Sequence, residues 1–220
     1  MVLRNDQLAD RVAPGENALL LCPPFEPAKS GSCRALLTPE RPENENVLCV
    51  SLTRSPDEYV IHLHDHVDGT PAEAVIVDVD ADTTADSTRE PSDAAASWPS
   101  LTVDRVASPT NLTTIGTRLT DHLATWAEDT PERQTVFCFE SVTALCQYTT
   151  LDQTCRFLDA VTEKVTDYDA VGHYHVDPGA VDRQTVERLT TTFDHCWEYD
   201  DGTWEDPELG HSDTAPNPRS

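Results

Sequence analysis

Residues Thr135 to Phe139 are almost wholly apolar, and the run stops on Glu140 and Ser141. A run of this length, rich in Phe, Val and Thr and closed by polar residues, predicts a buried strand. Similar runs recur at Ala18 to Cys22, Val47 to Ser51, Ala74 to Val79, Tyr168 to Tyr174 and His195 to Tyr199, and Leu101 to Val106 alternates as a strand does. Between them the apolar spacing changes to threes and fours. Leu112, Ile115, Leu119 and Leu123 make one helical stripe, and Phe157, Leu158, Val161 and Val165 make another within Leu151 to Val165. Further helices are expected over Ser32 to Leu37, from Ser55-Pro56 to about Val67, from Ser108-Pro109, and from Asp177-Pro178 onward. Leu3, Leu8 and Val12 suit a short amphipathic helix near the start. Strands alternating with helices predict an α/β domain with a mainly parallel sheet covered on both faces. Ligands of such sheets sit beyond the carboxyl ends of the strands, where Glu140 and Ser141 fall.

One domain is expected over residues 17–200, after a polar segment at 1–16 and before an acidic tail at 201–220 expected to be disordered. Asp, Thr, Ser, Ala and Pro dominate residues 80–100, which predicts a mobile acidic loop. Acidic residues number 40 against 15 basic ones, for a net charge of -25 spread along the whole chain. That pattern predicts a solvated acidic surface suited to a salt-loving organism. It argues against nucleic acid and anionic membranes as partners, since phosphate binding needs clustered Lys and Arg. Seven cysteines, an odd number without a C-x-x-C pair, read as buried thiols rather than a disulfide frame. Reduced thiols, no apolar run near ~18 residues and no signal-peptide core lead to a cytoplasmic expectation.

The first strand, loop and helix have the layout of a phosphate-binding loop, which needs G-x-x-x-x-G-K-[ST]. The frame Pro23-x-x-x-x-Ala28-Lys29-Ser30 keeps the spacing, the Lys and the Ser but neither glycine. Such a loop works by pointing successive backbone N–H groups at phosphate. Pro23, Pro24 and Pro27 have no N–H to offer, Ala28 resists the positive φ that Gly permits, and Glu26 adds a carboxylate. Lys29 and Ser30, with Glu140 and Ser141 across the sheet, remain as a vestigial nucleotide and Mg²⁺ site.

Val47 to Glu58 resembles the second strand and following helix of RecA-superfamily, KaiC-like ATPases, and Phe137 to Leu145 resembles their Walker B strand. With Leu145-Cys146-Gln147-Tyr148 and His173 to Pro178, the chain is similar to a haloarchaeal group of RecA/KaiC-like proteins with degenerate nucleotide sites. The resemblance implies a RecA-like three-layer α/β/α core of the P-loop type. Thr53-Arg54 stands where those ATPases carry catalytic glutamates, so no general base is offered, and Glu140 replaces the Walker B Asp. A shift of about 1 Å in such a carboxylate can already cost ~10²-fold in rate.

Two histidine groups complete the candidates. His62-x-His64-x-His66 with Asp65 lies on a predicted helix. His173-x-His175-x-Asp177 lies on a predicted strand, where a period of two puts all three on one side as a small metal site. No catalytic residue and no cofactor are expected. The expected role is a catalytically silent regulatory or interaction module, in signalling or transcriptional control, with a protein partner that is a second copy or a KaiC-like ATPase. The alternatives are a weak ATP binder or slow ATPase, and a metal-binding protein.

Overall fold

The structure, a computed structural model, describes residues 2–24, 26–37, 41–66, 69–79 and 100–207, with the backbone alone described at 62–66. Its strands are β1 (Val2–Leu3), β2 (Asn17–Leu21), β3 (Glu45–Ser51), β4 (Glu73–Val79), β5 (Leu101–Val106), β6 (Gln134–Phe139), β7 (Val171–Val176), β8 (His195–Asp200) and β9 (Thr203–Glu205). They form one sheet in the order β1-β9-β8-β2-β7-β6-β3-β4-β5. From β8 to β5 every pairing is parallel; β9 runs antiparallel to both β8 and β1.

Helices cover both faces. On one, α4 (Leu112–Asp129), α5 (Val142–Tyr148), α6 (Leu151–Asp167) and α7 (Arg183–Thr190) pack Ile115, Leu119, Leu145, Phe157, Leu158 and Leu189 onto Leu48, Phe137, Phe139 and Tyr174. On the other, α1 (Asn5–Leu8), α2 (Pro27–Leu37) and α3 (Pro56–His66) bring Leu8, Cys33, Leu36, Tyr59 and Val60 onto Leu20, Val47, Cys49, Val136 and Cys138. The central strands β2, β3 and β7 are buried along their whole length. Strands buried on both faces read as continuous apolar runs, the pattern of Ala18 to Leu21 and Val136 to Phe139. This is the three-layer α/β/α domain with a mainly parallel sheet that the sequence predicts.

Several boundaries differ. Residues 2–16 and 201–207 belong to the domain, because Leu3, Leu8, Val12 and Trp204 are buried in the same core. Within the segment 201–220 expected to be disordered, Thr203–Glu205 forms β9, held by the Trp204 indole, whose Nε1 donates to Asn5 Oδ1 at 2.6 Å. α4 begins at Leu112 behind the cap Asn111, whose side chain accepts from the Thr114 N–H, rather than at Ser108-Pro109. α7 begins at Arg183 behind Asp182 rather than at Asp177-Pro178. β7 runs Val171–Val176, three residues later than Tyr168 at its start, which leaves Asp177 beyond the strand. α5 is an additional helix, capped by Ser141. The acidic segment 80–99 and the chain from 208 lie outside the described residues.

Candidate functional site

Glu140 follows the last residue of β6, and its N–H still donates to the Val50 carbonyl at 3.0 Å, which extends the ladder and aims the side chain over the carboxyl edge of the sheet. The residue is 4 % exposed. Thr53 Oγ1 lies 3.0 and 2.7 Å from its two carboxylate oxygens. Arg54 Nη1 is 3.1 Å from Oε1, and Lys29 Nζ is 3.8 Å from the same oxygen. A buried carboxylate is costly unless paired and hydrogen-bonded, and here it is both. The Lys that a phosphate loop sends to its ligand is thus turned onto the acid that would hold magnesium.

The loop before α2 offers little else to a phosphate. The Cys22 N–H donates to Val176, Glu26 to Pro23 and Lys29 to Glu26. With three prolines among residues 22–29, no run of free amides faces outward among the described residues. Ser30 sits half-buried beside Lys29 on α2. Ser141 has its oxygen engaged as the α5 cap, accepting from the Ala144 N–H at 3.0 Å.

A second constellation lies on the α2 and α3 face of the sheet. Register places Cys49 of β3, Cys138 of β6 and His173 of β7 side by side in one row across three strands. His175 lies two residues on, on the same face. Cys33 descends on them from α2, where Ala28 and Lys29, Ser32 and Cys33, and Leu36 and Leu37 recur every four residues as the inward stripe. The ligating atoms of Cys33, Cys138, His173 and His175 all lie within 4.8 Å of one another, and all four residues are buried. Cys33 Sγ is 3.0 Å from His175 Nε2. The two imidazoles stand edge to face, centroids 5.3 Å apart at 89°. Neither ring nitrogen of His173, nor Nδ1 of His175, has a hydrogen-bond partner among the described residues.

The electrostatics of this cluster are uneven. Burial raises the Cys138 thiol, but Cys33, Cys49 and the His173 imidazole outweigh it and hold the thiol well below its ordinary range. Cys33 is pushed well up by its hydrogen bond to Cys138 and by burial, and Cys49 by burial first and Cys138 second. Burial lowers His175 to about 4, which keeps its imidazole neutral at pH 7. Two cysteines and two imidazoles around one point form the donor set that soft-to-borderline metals prefer.

The structure therefore brings His173 and His175 together as the sequence spacing predicts, but not Asp177. That residue sits in the turn after β7, its Oδ1 accepting from the Gly179 N–H at 2.9 Å and its N–H donating to Thr143. The side chains of His62, His64, Asp65 and His66 on α3 lie outside the described residues. Sequence reasoning missed Cys33 and Cys138 as partners of the histidines. Cys138 stands two residues before Glu140 on the same face of β6, and Cys33 four after Lys29 on the same face of α2, but local spacing does not tell that either meets the histidines.

The family model described as "Family of unknown function (DUF7504)" matches residues 15–199. The chain belongs to the DUF7504 family. The match begins just before β2 and ends in β8, so the whole parallel sheet of this DUF7504 member, Glu140 and the Cys/His cluster lie inside it. No curated protein matches the chain. Among solved structures it is similar to an uncharacterised protein from Pyrococcus horikoshii in complex with an unknown peptide, at 13 % identity and a TM-score of 0.56, covering 89 % of this chain and 84 % of that one. A second Pyrococcus horikoshii protein aligns at 8 % identity and a TM-score of 0.53, over 90 % and 89 % of the two chains. At these identities the likeness concerns the fold. Among the described residues no helix is long and apolar enough to cross a membrane.

Proposed function

We propose that this DUF7504 chain is a catalytically silent RecA/KaiC-like domain that serves as a regulatory or protein-interaction module. The carrying observation is the closed ion-pair knot of Lys29, Arg54 and Thr53 on Glu140. In a working nucleotide hydrolase the Lys would bind phosphate and the acid would bind Mg²⁺, and the energy of both contacts would be released only on ligand binding. Here Thr53 and Arg54 already hold the acid, with Lys29 3.8 Å from it, and no ligand is needed. Opening the knot for a nucleotide would leave one buried carboxylate and two cations to be re-paired, a cost of several kcal/mol set against a loop that returns few amide contacts. Thr53-Arg54 also occupies the place of the residues that would activate water, and the Arg side chain is spent on the acid.

The regulatory role follows by analogy from a retained scaffold with its phosphate site dismantled, and the partner it predicts is a protein rather than a nucleotide. Calorimetric titration of the folded chain with ATP and Mg²⁺ in molar salt tests the reading. The expected result is no saturable heat at millimolar nucleotide. Saturable binding that Lys29→Ala abolishes would overturn it.

A further inference from the structure

We propose that Cys33, Cys138, His173 and His175 form a tetrahedral metal site, with Zn²⁺ as its resident ion. Two independent observations converge. The four ligating atoms come from three separate elements, α2, β6 and β7, and already lie within 4.8 Å of one another. Co-ligand atoms around zinc sit roughly 3.3–3.8 Å apart, given bonds of about 2.3 Å to sulfur and 2.0–2.1 Å to nitrogen. Closing the cluster onto an ion therefore takes side-chain shifts of about an ångström. Three ring nitrogens at the site, both of His173 and Nδ1 of His175, have no hydrogen-bond partner among the described residues although both residues are buried. A buried imidazole with neither nitrogen engaged is an expensive arrangement in a protein core, and a metal bond supplies what is missing.

Charge completes the argument. Two thiolates and two neutral imidazoles around Zn²⁺ sum to zero, the one ionic assembly that an apolar layer accepts at low cost. Binding expels the remaining thiol protons to solvent and leaves the sulfurs as thiolates. Cys49 lies beside Cys138 in the same row, so it flanks the ligand from outside the tetrahedron. Oxygen-seeking ions such as Mg²⁺ and Ca²⁺ do not suit this donor set.

The position gives the ion a structural consequence. Cys33 is one helical turn beyond Lys29 on α2, and Cys138 is two residues before Glu140 on β6. The metal ties the helix that follows the degenerate phosphate loop to the two strands beneath it. This inference stands apart from the silent-scaffold reading, since metal content and nucleotide binding are measured separately.

The test uses the full chain, produced without a histidine tag in zinc-supplemented medium and purified reduced. Elemental analysis is expected to find about one zinc per chain in the native protein, and loss of it in Cys138→Ser and His173→Ala. Cys155→Ser, on the opposite face of the sheet, is expected to keep it. Cobalt substitution of the native chain is expected to give the visible bands of tetrahedral Co²⁺ with thiolate charge transfer from two sulfurs, a readout that does not depend on any variant folding. A folded, reduced chain without zinc and without that cobalt spectrum would overturn the proposal. So would zinc that persists in the Cys138→Ser and His173→Ala variants, because it would then sit elsewhere.

Discussion

Glu140 is a buried acid held by several partners. Its carboxylate is nearly inaccessible, and what makes it tolerable is the pair of Thr53 contacts and the Arg54 contact rather than Lys29, whose nitrogen is 3.8 Å away. Removing one partner of a buried pair costs about 3–5 kcal/mol, because the other charge is left behind. Glu140→Ala is therefore expected to lower the melting temperature by about 10 °C. Lys29→Met, which keeps the aliphatic stem and leaves Thr53 and Arg54 in place, is expected to cost no more than about 1 kcal/mol. Thermal unfolding of the two variants in one buffer checks the order, and equal losses would mean that Lys29 is the true counter-ion. Gly172 makes a second residue-scale case on the other face of β7. A Cβ there would stand 2.5 Å from Asn17 Oδ1 and 3.2 Å from both Tyr174 and Val165 side-chain atoms. Asn17 cannot swing aside freely, since its Oδ1 accepts from the Tyr174 hydroxyl at 2.9 Å and its Nδ2 donates to the Thr162 carbonyl. Gly172→Ala is expected to destabilise by about 1–3 kcal/mol, read as a shift in the denaturant midpoint at unchanged slope.

At the scale of elements, the sheet's far edge shows what pattern reading can miss. β1 and β9 are only two and three residues long and are set in polar sequence, too short for any periodicity to register. Their stability comes from tertiary contacts: Trp204 is fully buried and its indole reaches Asn5 at the start of α1. Trp204→Ala is expected to cost about 3–5 kcal/mol, and ending the chain at Asp200 to cost at least as much. Wild-type melting behaviour in the truncated chain would show the edge to be dispensable. The long elements were legible because burial on both faces writes itself as unbroken apolar runs in β2, β3 and β6, and burial on one face as the stripes of α4 and α6. The start at Ser55-Pro56 holds, but those expected at Ser108-Pro109 and Asp177-Pro178 were misplaced, because the caps in use were Asn111 and Asp182, each accepting a backbone N–H three residues on. Half of the metal constellation was legible for a similar reason. His173 and His175 share a face by parity within one strand, whereas Cys33 and Cys138 join them through strand register and helix docking, and neither of those is written in local sequence.

For the molecule as a whole, the net charge of -25 acts against compactness, and the few ion pairs described on its surface are too sparse to cancel it. Pairs such as Lys164 with Asp167 and Arg188 with Asp152 are well exposed and contribute little to stability. Repulsion among the remaining carboxylates is long-ranged at low salt and is screened within about 10 Å at 0.1 M and about 3 Å at 1 M. The melting temperature is therefore expected to rise as KCl increases from about 0.1 M to 1 M. The buried knot at Glu140 should respond differently, since ions do not reach a carboxylate that is 4 % exposed. The gap between native protein and Glu140→Ala should stay nearly constant along the same salt series while both curves climb together. Differential scanning calorimetry of the two proteins at each concentration separates the terms. A melting temperature that is flat or falls with KCl would mean that the acidic surface imposes no self-repulsion on the fold, and a gap that closes with salt would mean that the knot is open to solvent.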